Sequence, residues 1–476
     1  MRCENQNRTV GKILVEESIT IMTKPIPPMM SGLPLLGKFL DFRKDRAALV
    51  QRGYETYGSI FGFKLGPQPI AALNGPELHQ VFFTETDKKL AMDKPYRSLA
   101  AALGKVAFLA SPETYQEQRP ILYAPFTHQK MVQYIHIMQD VVQAWLDGLG
   151  ESGVVDISAE ISRLVQNVAG YALMGEDFQQ RAGREFWEQY AVLGRSIDLT
   201  TPPDWPLPKN IRRDRAKAKM RAILAPIIAE RRKNPDRYDD FLQDFVNGRL
   251  KSGQHMDDET ISSLIRALMF AGHETTAGQA AWTVIELVRH PDALSRVQAE
   301  IAQYLPPGTR IEASILRQME NLVWSVREVE RLHPSADILM RYVSEDIEVG
   351  DYRIPAGWLV MVMAGYAHRL PSLFRDPEQF DPLRFAPGRA EDAQHRFALI
   401  GFGGGLHKCA GVNFANNEMM VVCALLLQQF EVELLDKASK PVFGMGASRP
   451  EPTRLRYHRK WDFRCKPALP AHLRPV

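Results

Sequence analysis

At 476 residues, with 45% hydrophobic and 24% charged residues, the chain has the composition of a packed globular protein and not of a disordered or fibrous one. Its 59 Lys plus Arg are balanced by 56 Asp plus Glu, so no basic excess points to nucleic acid, and a small-molecule partner is expected. Cys3, Cys409, Cys423 and Cys465 show no paired spacing, which implies reduced thiols in a cytoplasmic protein rather than a disulfide framework.

In chain order, residues 1–23 mix Arg8, Lys12, Glu16 and Glu17 among apolar residues and are expected to be disordered. No run of about 18 apolar residues occurs anywhere, so no transmembrane anchor is expected. Met22, just before the prolines, is an alternative start to Met1. The stretch Lys24-Pro25-Ile26-Pro27-Pro28, then Leu33-Pro34-Leu35-Leu36-Gly37, reads as extended chain. Ile60–Gly66 and Ile70–Gly75 flank Pro67 in the pattern of a hairpin. From about Gln116 to Glu330 helical periodicity dominates, and its longest segment runs from Asp257 to Arg289, about 50 Å at 1.5 Å per residue. Short strands are predicted at Ile347–Val349 and Leu359–Val362, followed by irregular chain to Gly405 and a helix from about Ala410 to Phe430. With no internal repeat and no flexible linker, residues 24–476 read as one domain, mainly α with small β-sheets.

The chemistry concentrates at Phe402-Gly403-Gly404-Gly405-Leu406-His407-Lys408-Cys409-Ala410-Gly411. A cysteine between a glycine-rich loop and a helix start meets backbone N–H groups that favour its thiolate, and glycines permit the close approach. The pattern Phe-x-x-Gly-x-x-x-Cys-x-Gly resembles the haem-binding loop of cytochrome P450 enzymes. The resemblance implies the P450 fold, with haem b between the long helix and the loop, and Cys409 as the axial thiolate that favours O–O cleavage.

Further motifs carry the same resemblance. Glu328-Val329-Glu330-Arg331 is similar to the family's Glu-x-x-Arg, and Phe380-Asp381-Pro382-Leu383-Arg384-Phe385 to the segment whose arginine joins it. Taken alone, that spacing is an ordinary surface ion pair. By resemblance Glu328, Arg331 and Arg384 form a buried network behind the haem. In the long helix, Ala271-Gly272-His273-Glu274-Thr275-Thr276 places a glycine, an acid and two alcohols in an apolar stretch. Gly inside a helix costs about 1 kcal/mol against Ala, so the segment is either a bend or a site. By resemblance Ala271 and Gly272 border the haem, and Glu274 and Thr275 are the catalytic pair that delivers protons to reacting dioxygen.

The resemblance also implies Tyr96, Arg119, Arg341 and His407 as holders of the haem propionates, and Phe402, Gly403 and Gly411 as its contacts. Tyr115 stands where the family's Trp-x-x-x-Arg helix has Trp. Leu99, Leu103, Val106, Phe108, Phe270, Ile338, Phe443 and Met445 are expected to line an apolar substrate pocket, although each is equally readable as core. Met269–His273, Trp282–Leu287, Ile338–Arg341 and His407 are most similar to sterol 14α-demethylases and their bacterial relatives. Glu274, the small and aliphatic residues of the segment Tyr96–Leu103 and the acid Asp337 depart from that subfamily.

The function so implied is monooxygenation of a sterol-, terpenoid- or fatty-acid-like molecule by dioxygen. The two electrons would come from a separate ferredoxin or flavodoxin and its reductase, and Lys408, Arg119 and Arg396 are readable either as a surface that steers such an acidic partner or as an ordinary solvated face. Two rival readings are a peroxygenase or isomerase needing no reductase, which would not call for Glu274 and Thr275, and a haem-binding sensor without catalysis.

Overall fold

The structure, a computed structural model, describes residues 24–197, 201–436, 439–443 and 447–463. The first 23 residues, expected to be disordered, and Met445 lie outside them.

The longest helix is set by its ends. Asp257 accepts the Thr260 N–H at 2.6 Å, which caps one terminus. At the other, Pro291 opens the next helix, Pro291–Tyr304. Between them Asp258–Arg289 runs 32 residues, about 48 Å. Most of its residues are buried around the whole circumference, the pattern of a helix crossing a large core rather than covering one. It packs on the helices Ile157–Ala169, Pro208–Lys233, Glu320–Leu332 and Val412–Gln429.

The predicted hairpin forms as Ile60–Leu65 and Gln68–Leu73, with Ile60 opposite Leu73. It is the edge of a five-stranded sheet completed in order by Leu359–Met363, Ile338–Val343 and Leu90–Ala91. Gln68–Leu73 and Leu359–Met363 run parallel, which a chain separation of almost 300 residues permits and no local pattern reveals. Ile347–Val349 pairs with Tyr352–Ile354 in a small hairpin.

The stretch expected to be helical is interrupted by the strand Ser152–Asp156, which joins Arg454–Arg459 and Phe430–Leu434 in a second sheet. Two π-helical turns, Gly170–Met174 and Gln179–Gly183, also break it. The helix after the cysteine begins at Val412 rather than Ala410, because Gly411 is its non-helical cap. Among the described residues no helix is long and apolar enough to cross a membrane.

Candidate active site

The middle of the long helix is open on one face. Ala271 is exposed and Gly272 and Thr275 are partly so, whereas His273, Glu274 and Thr276 are buried. Ala271 and Thr275 are four apart and share that face. A Cβ added to Gly272 would meet nothing within 4 Å, whereas one added to Gly278 would stand 2.6 Å from the Ser448 carbonyl oxygen. The first glycine therefore leaves space, and the second admits a neighbouring strand. Thr275 Oγ1 donates to the Ala271 carbonyl at 2.6 Å, and the Thr275 carbonyl accepts from Ser335 Oγ at 2.9 Å. Glu274 Oε1 lies 3.8 Å from Nδ1 of His273, whose Nε2 is 3.0 Å from the Ser162 carbonyl.

Cys409 follows a short 3₁₀ turn, Gly405–His407, and its N–H donates to the Phe402 carbonyl at 3.0 Å. Positive φ at Gly403 (70°) and Gly405 (64°) lets the loop turn, and the Phe83 carbonyl oxygen stands 2.7 Å from where a Gly405 side chain would begin. Cys409 is exposed to open space, yet the surrounding protein desolvates it enough to push its thiol above the ordinary value. The Gly411 N–H opposes that shift, Glu330 adds to it and Lys408 opposes it. The Gly411 N–H at the helix start thus favours the thiolate, as its position in the sequence implies, while burial acts against it. A bound metal cation makes the thiolate. Cys423 is fully buried on the following helix.

The residues expected around the propionates form one connected cluster. The ring of His407 stacks on Tyr115 with centroids 4.1 Å apart, and its Nε2 is 2.6 Å from Asp87 Oδ2. The Arg119 guanidinium sits over the Tyr123 ring at 4.7 Å. Arg341, almost fully buried, donates to Thr86 Oγ1 at 3.0 Å and to the Met340 carbonyl at 2.8 Å, while the Tyr96 hydroxyl accepts the Met340 N–H at 3.0 Å. Burial lowers the pKa of Arg341, and Tyr96 and Asp87 pull it back up. Nδ1 of His407 and Nε of Arg119 are buried without a hydrogen-bond partner in the protein. Such orphaned groups cost about 1–3 kcal/mol each, and carboxylates presented by a ligand would satisfy them. The residues present therefore fit a haem and its propionates.

Glu328, Arg331 and Arg384 are all fully buried and joined. Arg331 donates to both carboxylate oxygens of Glu328 at 2.8 Å, and Arg384 Nε reaches Oε1 at 3.0 Å. The network extends to Glu391, 2.7 Å from Arg384, and to the carbonyls of His368, Pro377 and Gln379.

The proposed pocket residues are more scattered. Leu99, Leu103 and Val106 are buried in the main core, with Phe108 and Phe270 packed on its edge. Ile338 borders a different cluster under the five-stranded sheet. Phe443 is 48% exposed on a hairpin, with the Arg46 guanidinium 3.3 Å above its ring. Asp337 accepts the Gly365 N–H at 3.0 Å and faces Arg46 at 3.6 Å.

A cavity of about 370 Å³ lies under the cysteine loop, lined among others by Arg327, Glu330, Arg396, Phe402, Gly403 and Lys408, with no residue from the long helix. Burial pushes the Glu330 carboxyl up to about 7, against Arg327, the Gly401 and Phe402 N–H groups and Lys408. Lys408 and Arg396 thus share a face, whereas Arg119 belongs to the His407 cluster. Nothing local in the sequence marks Asp87, whose φ is 65°, and Glu330 occupies an unspecified position of the Glu-x-x-Arg pattern.

Residues 27–455 match the family model for cytochrome P450. The chain belongs to the cytochrome P450 family. A sterol 14-demethylase of Arabidopsis thaliana is 31% identical over 427 residues, 87% of each chain. A sterol 14alpha-demethylase of Mycolicibacterium vanbaalenii is 29% identical over 447 residues, 92% of this chain and 98% of that one. Among solved structures, a retinoic acid bound cyanobacterial CYP120A1 superposes with a TM-score of 0.82 at 30% identity, covering 92% of this chain and all of that one. As a P450 this protein is a monooxygenase whose haem is held by a cysteine thiolate.

Proposed function

We propose that Cys409 supplies that thiolate and that the protein, as a single haem domain over residues 24–476, hydroxylates a sterol-, terpenoid- or fatty-acid-like molecule with dioxygen. Two electrons come from a separate ferredoxin or flavodoxin and its reductase. The observation that carries this reading is the opened face of the long helix: Ala271, Gly272 and Thr275 look onto space in the middle of a helix buried elsewhere. Bound haem supplies the chemistry that cleaves dioxygen, favoured by thiolate ligation.

The chain's own residues do the rest. Arg119, His407, Arg341 and Tyr96 hold the propionates, and Ala271, Gly272, Phe402, Gly403 and Gly411 border the ring. Thr275 presents its hydroxyl on the open face, and the Glu274 carboxyl behind it holds the proton to be delivered. Glu328, Arg331 and Arg384 fix the chain behind the cysteine loop. Leu99, Leu103, Val106, Phe108, Phe270 and Ile338 supply the apolar lining, whereas Phe443 lies half-exposed under Arg46. Relatives named for sterol demethylation and for bound retinoic acid support a lipid-like substrate.

The test is the dithionite-reduced spectrum with carbon monoxide, followed by titration with steroids, terpenoids and fatty acids for spin-state shifts. A strongly red-shifted Soret band, a shifting ligand, and its product carrying one atom of labelled dioxygen are expected. Full haem loading without that band would overturn Cys409 as ligand.

A further inference from the structure

Glu328 and Arg331 turn into the buried network, and Glu330, two positions on from Glu328 and so about 200° around the same helix, turns the other way. It packs against the root of the cysteine loop. A Cβ on Gly401 would stand 2.5 Å from Glu330 Cγ and 2.8 Å from Oε1, so glycine at 401 is what admits the acid. The backbone N–H groups of Gly401 and Phe402 face its carboxylate. Arg327, one turn earlier on the same helix, is engaged by Asp392. Arg396 and Lys408 are the other cations lining the cavity that Glu330 borders. No ion pair closes on Glu330 among the described residues, and its charge acts directly on Cys409.

We propose that Glu330 is a positioning residue for the haem iron: its carboxylate holds the Gly401–Phe402 amides at the root of the loop, and its negative charge, on the cysteine side, lowers the iron's reduction potential. The physical reason is simple. Taking up an electron makes the iron centre more negative, and a carboxylate fixed nearby in a desolvated setting opposes that change. The polar environment around an axial ligand is a recognised lever on haem potential. Cations around the cavity moderate the effect without pairing with the acid. The proposal rests on the haem-thiolate reading above.

The experiment compares the haem-loaded full chain with E330Q and E330L at pH 8, above the value of about 7 to which burial raises this carboxyl. E330Q keeps an acceptor for the two amides and removes the charge; E330L removes both. With the red-shifted carbon monoxide band established in the parent, E330Q is expected to keep the band and to be reduced more readily. Against a reference dye its equilibrium constant should rise about tenfold, or about 59 mV for one electron. E330L should show the same shift and lose the band faster on warming. An unchanged potential in E330Q, with the band intact in the parent, overturns the proposal and leaves the haem-thiolate reading standing. A parent without the band overturns both.

Discussion

The ring of His368 accepts the backbone N–H of Ile400 on Nε2 at 2.9 Å, while its Nδ1 donates to the Arg331 carbonyl at 3.2 Å. One fully buried imidazole thus ties the arginine of the buried network to the chain that leads into the cysteine loop. His79 makes a parallel contact with the Phe397 carbonyl at 3.1 Å. Burial pushes His368 down to about 3 and His79 down to about 4, against the hydrogen bonds to Arg331 and Phe397. The unfolded chain protonates its histidines near 6.5, so between about 6.5 and these folded values it binds more protons than the native state. Stability is therefore whole above pH 6.5 and falls as pH drops, by about 2 kcal/mol per histidine at pH 5. Thermal unfolding of parent and H368Q between pH 7.5 and 5 checks this. The variant should lose about 2 kcal/mol less across that range, and equal pH slopes would rule out His368 as a source of acid lability.

Removing one partner from the Glu328 network should be severe. Glu328 stands between two arginines that are themselves fully buried. E328Q keeps the volume and strips the charge, leaving those guanidinium groups undercompensated, which costs about 3–5 kcal/mol. Urea unfolding of the haem-free chain measures it. A change under about 1 kcal/mol would mean that the backbone carbonyls around Arg331 suffice.

Thr275→Ala should separate electron use from product. The hydroxyl now occupied with the Ala271 carbonyl lies on the open face, and removing it takes away a proton-relay group whose type contributes on the order of 10²-fold to a chemical step. Electron consumption should continue while product per electron falls, with T275S recovering most of it. Unchanged coupling in T275A, measured as product per reductant oxidised, would remove Thr275 from the relay.

The Arg119 and His407 cluster makes a claim about cofactor retention. If the orphaned Nε and Nδ1 take the propionates, each lost charge-assisted bond is worth about 1.5–3 kcal/mol. R119L should therefore release haem about ten- to a hundredfold faster to an acceptor apoprotein, with little change in the melting of the haem-free chain. Equal release rates would mean that Arg119 serves only Tyr123.

Much of this was legible in the sequence because local chemistry marks it. The span from Asp257 to Arg289 is readable as one long helix, and the glycines around Cys409 announce a loop with unusual φ. Glu328, Arg331 and Arg384 carried a recognisable spacing. The sheet order was not legible, since Gln68–Leu73 meets Leu359–Met363 across most of the chain. Asp87, which pairs with His407, belongs to a segment with no periodic signal. Glu330 is hidden by its neighbours: in the charged run Arg327-Glu328-Val329-Glu330-Arg331, the approach of Gly401 is what reveals that it faces the loop.

Two glycines on the long helix allow a last distinction between space kept for protein and space kept for a cofactor. At Gly278 a side chain would meet the Ser448 carbonyl oxygen at 2.6 Å, so G278A must displace the strand Ser448–Pro450 and should destabilise the chain with or without haem. At Gly272 nothing of the protein stands in the way. Alanine there improves helix propensity by about 1 kcal/mol, so G272A should leave the haem-free chain equally or more stable. Its penalty should appear only once haem is added, as weaker binding or a perturbed Soret band, because the methyl group then meets the ring or the small ligand above it. Denaturant melts of both variants, with and without haem, separate the cases. If G272A weakened the haem-free chain as much as G278A, the glycine would be part of the packing, and the opened face would no longer support a cofactor site.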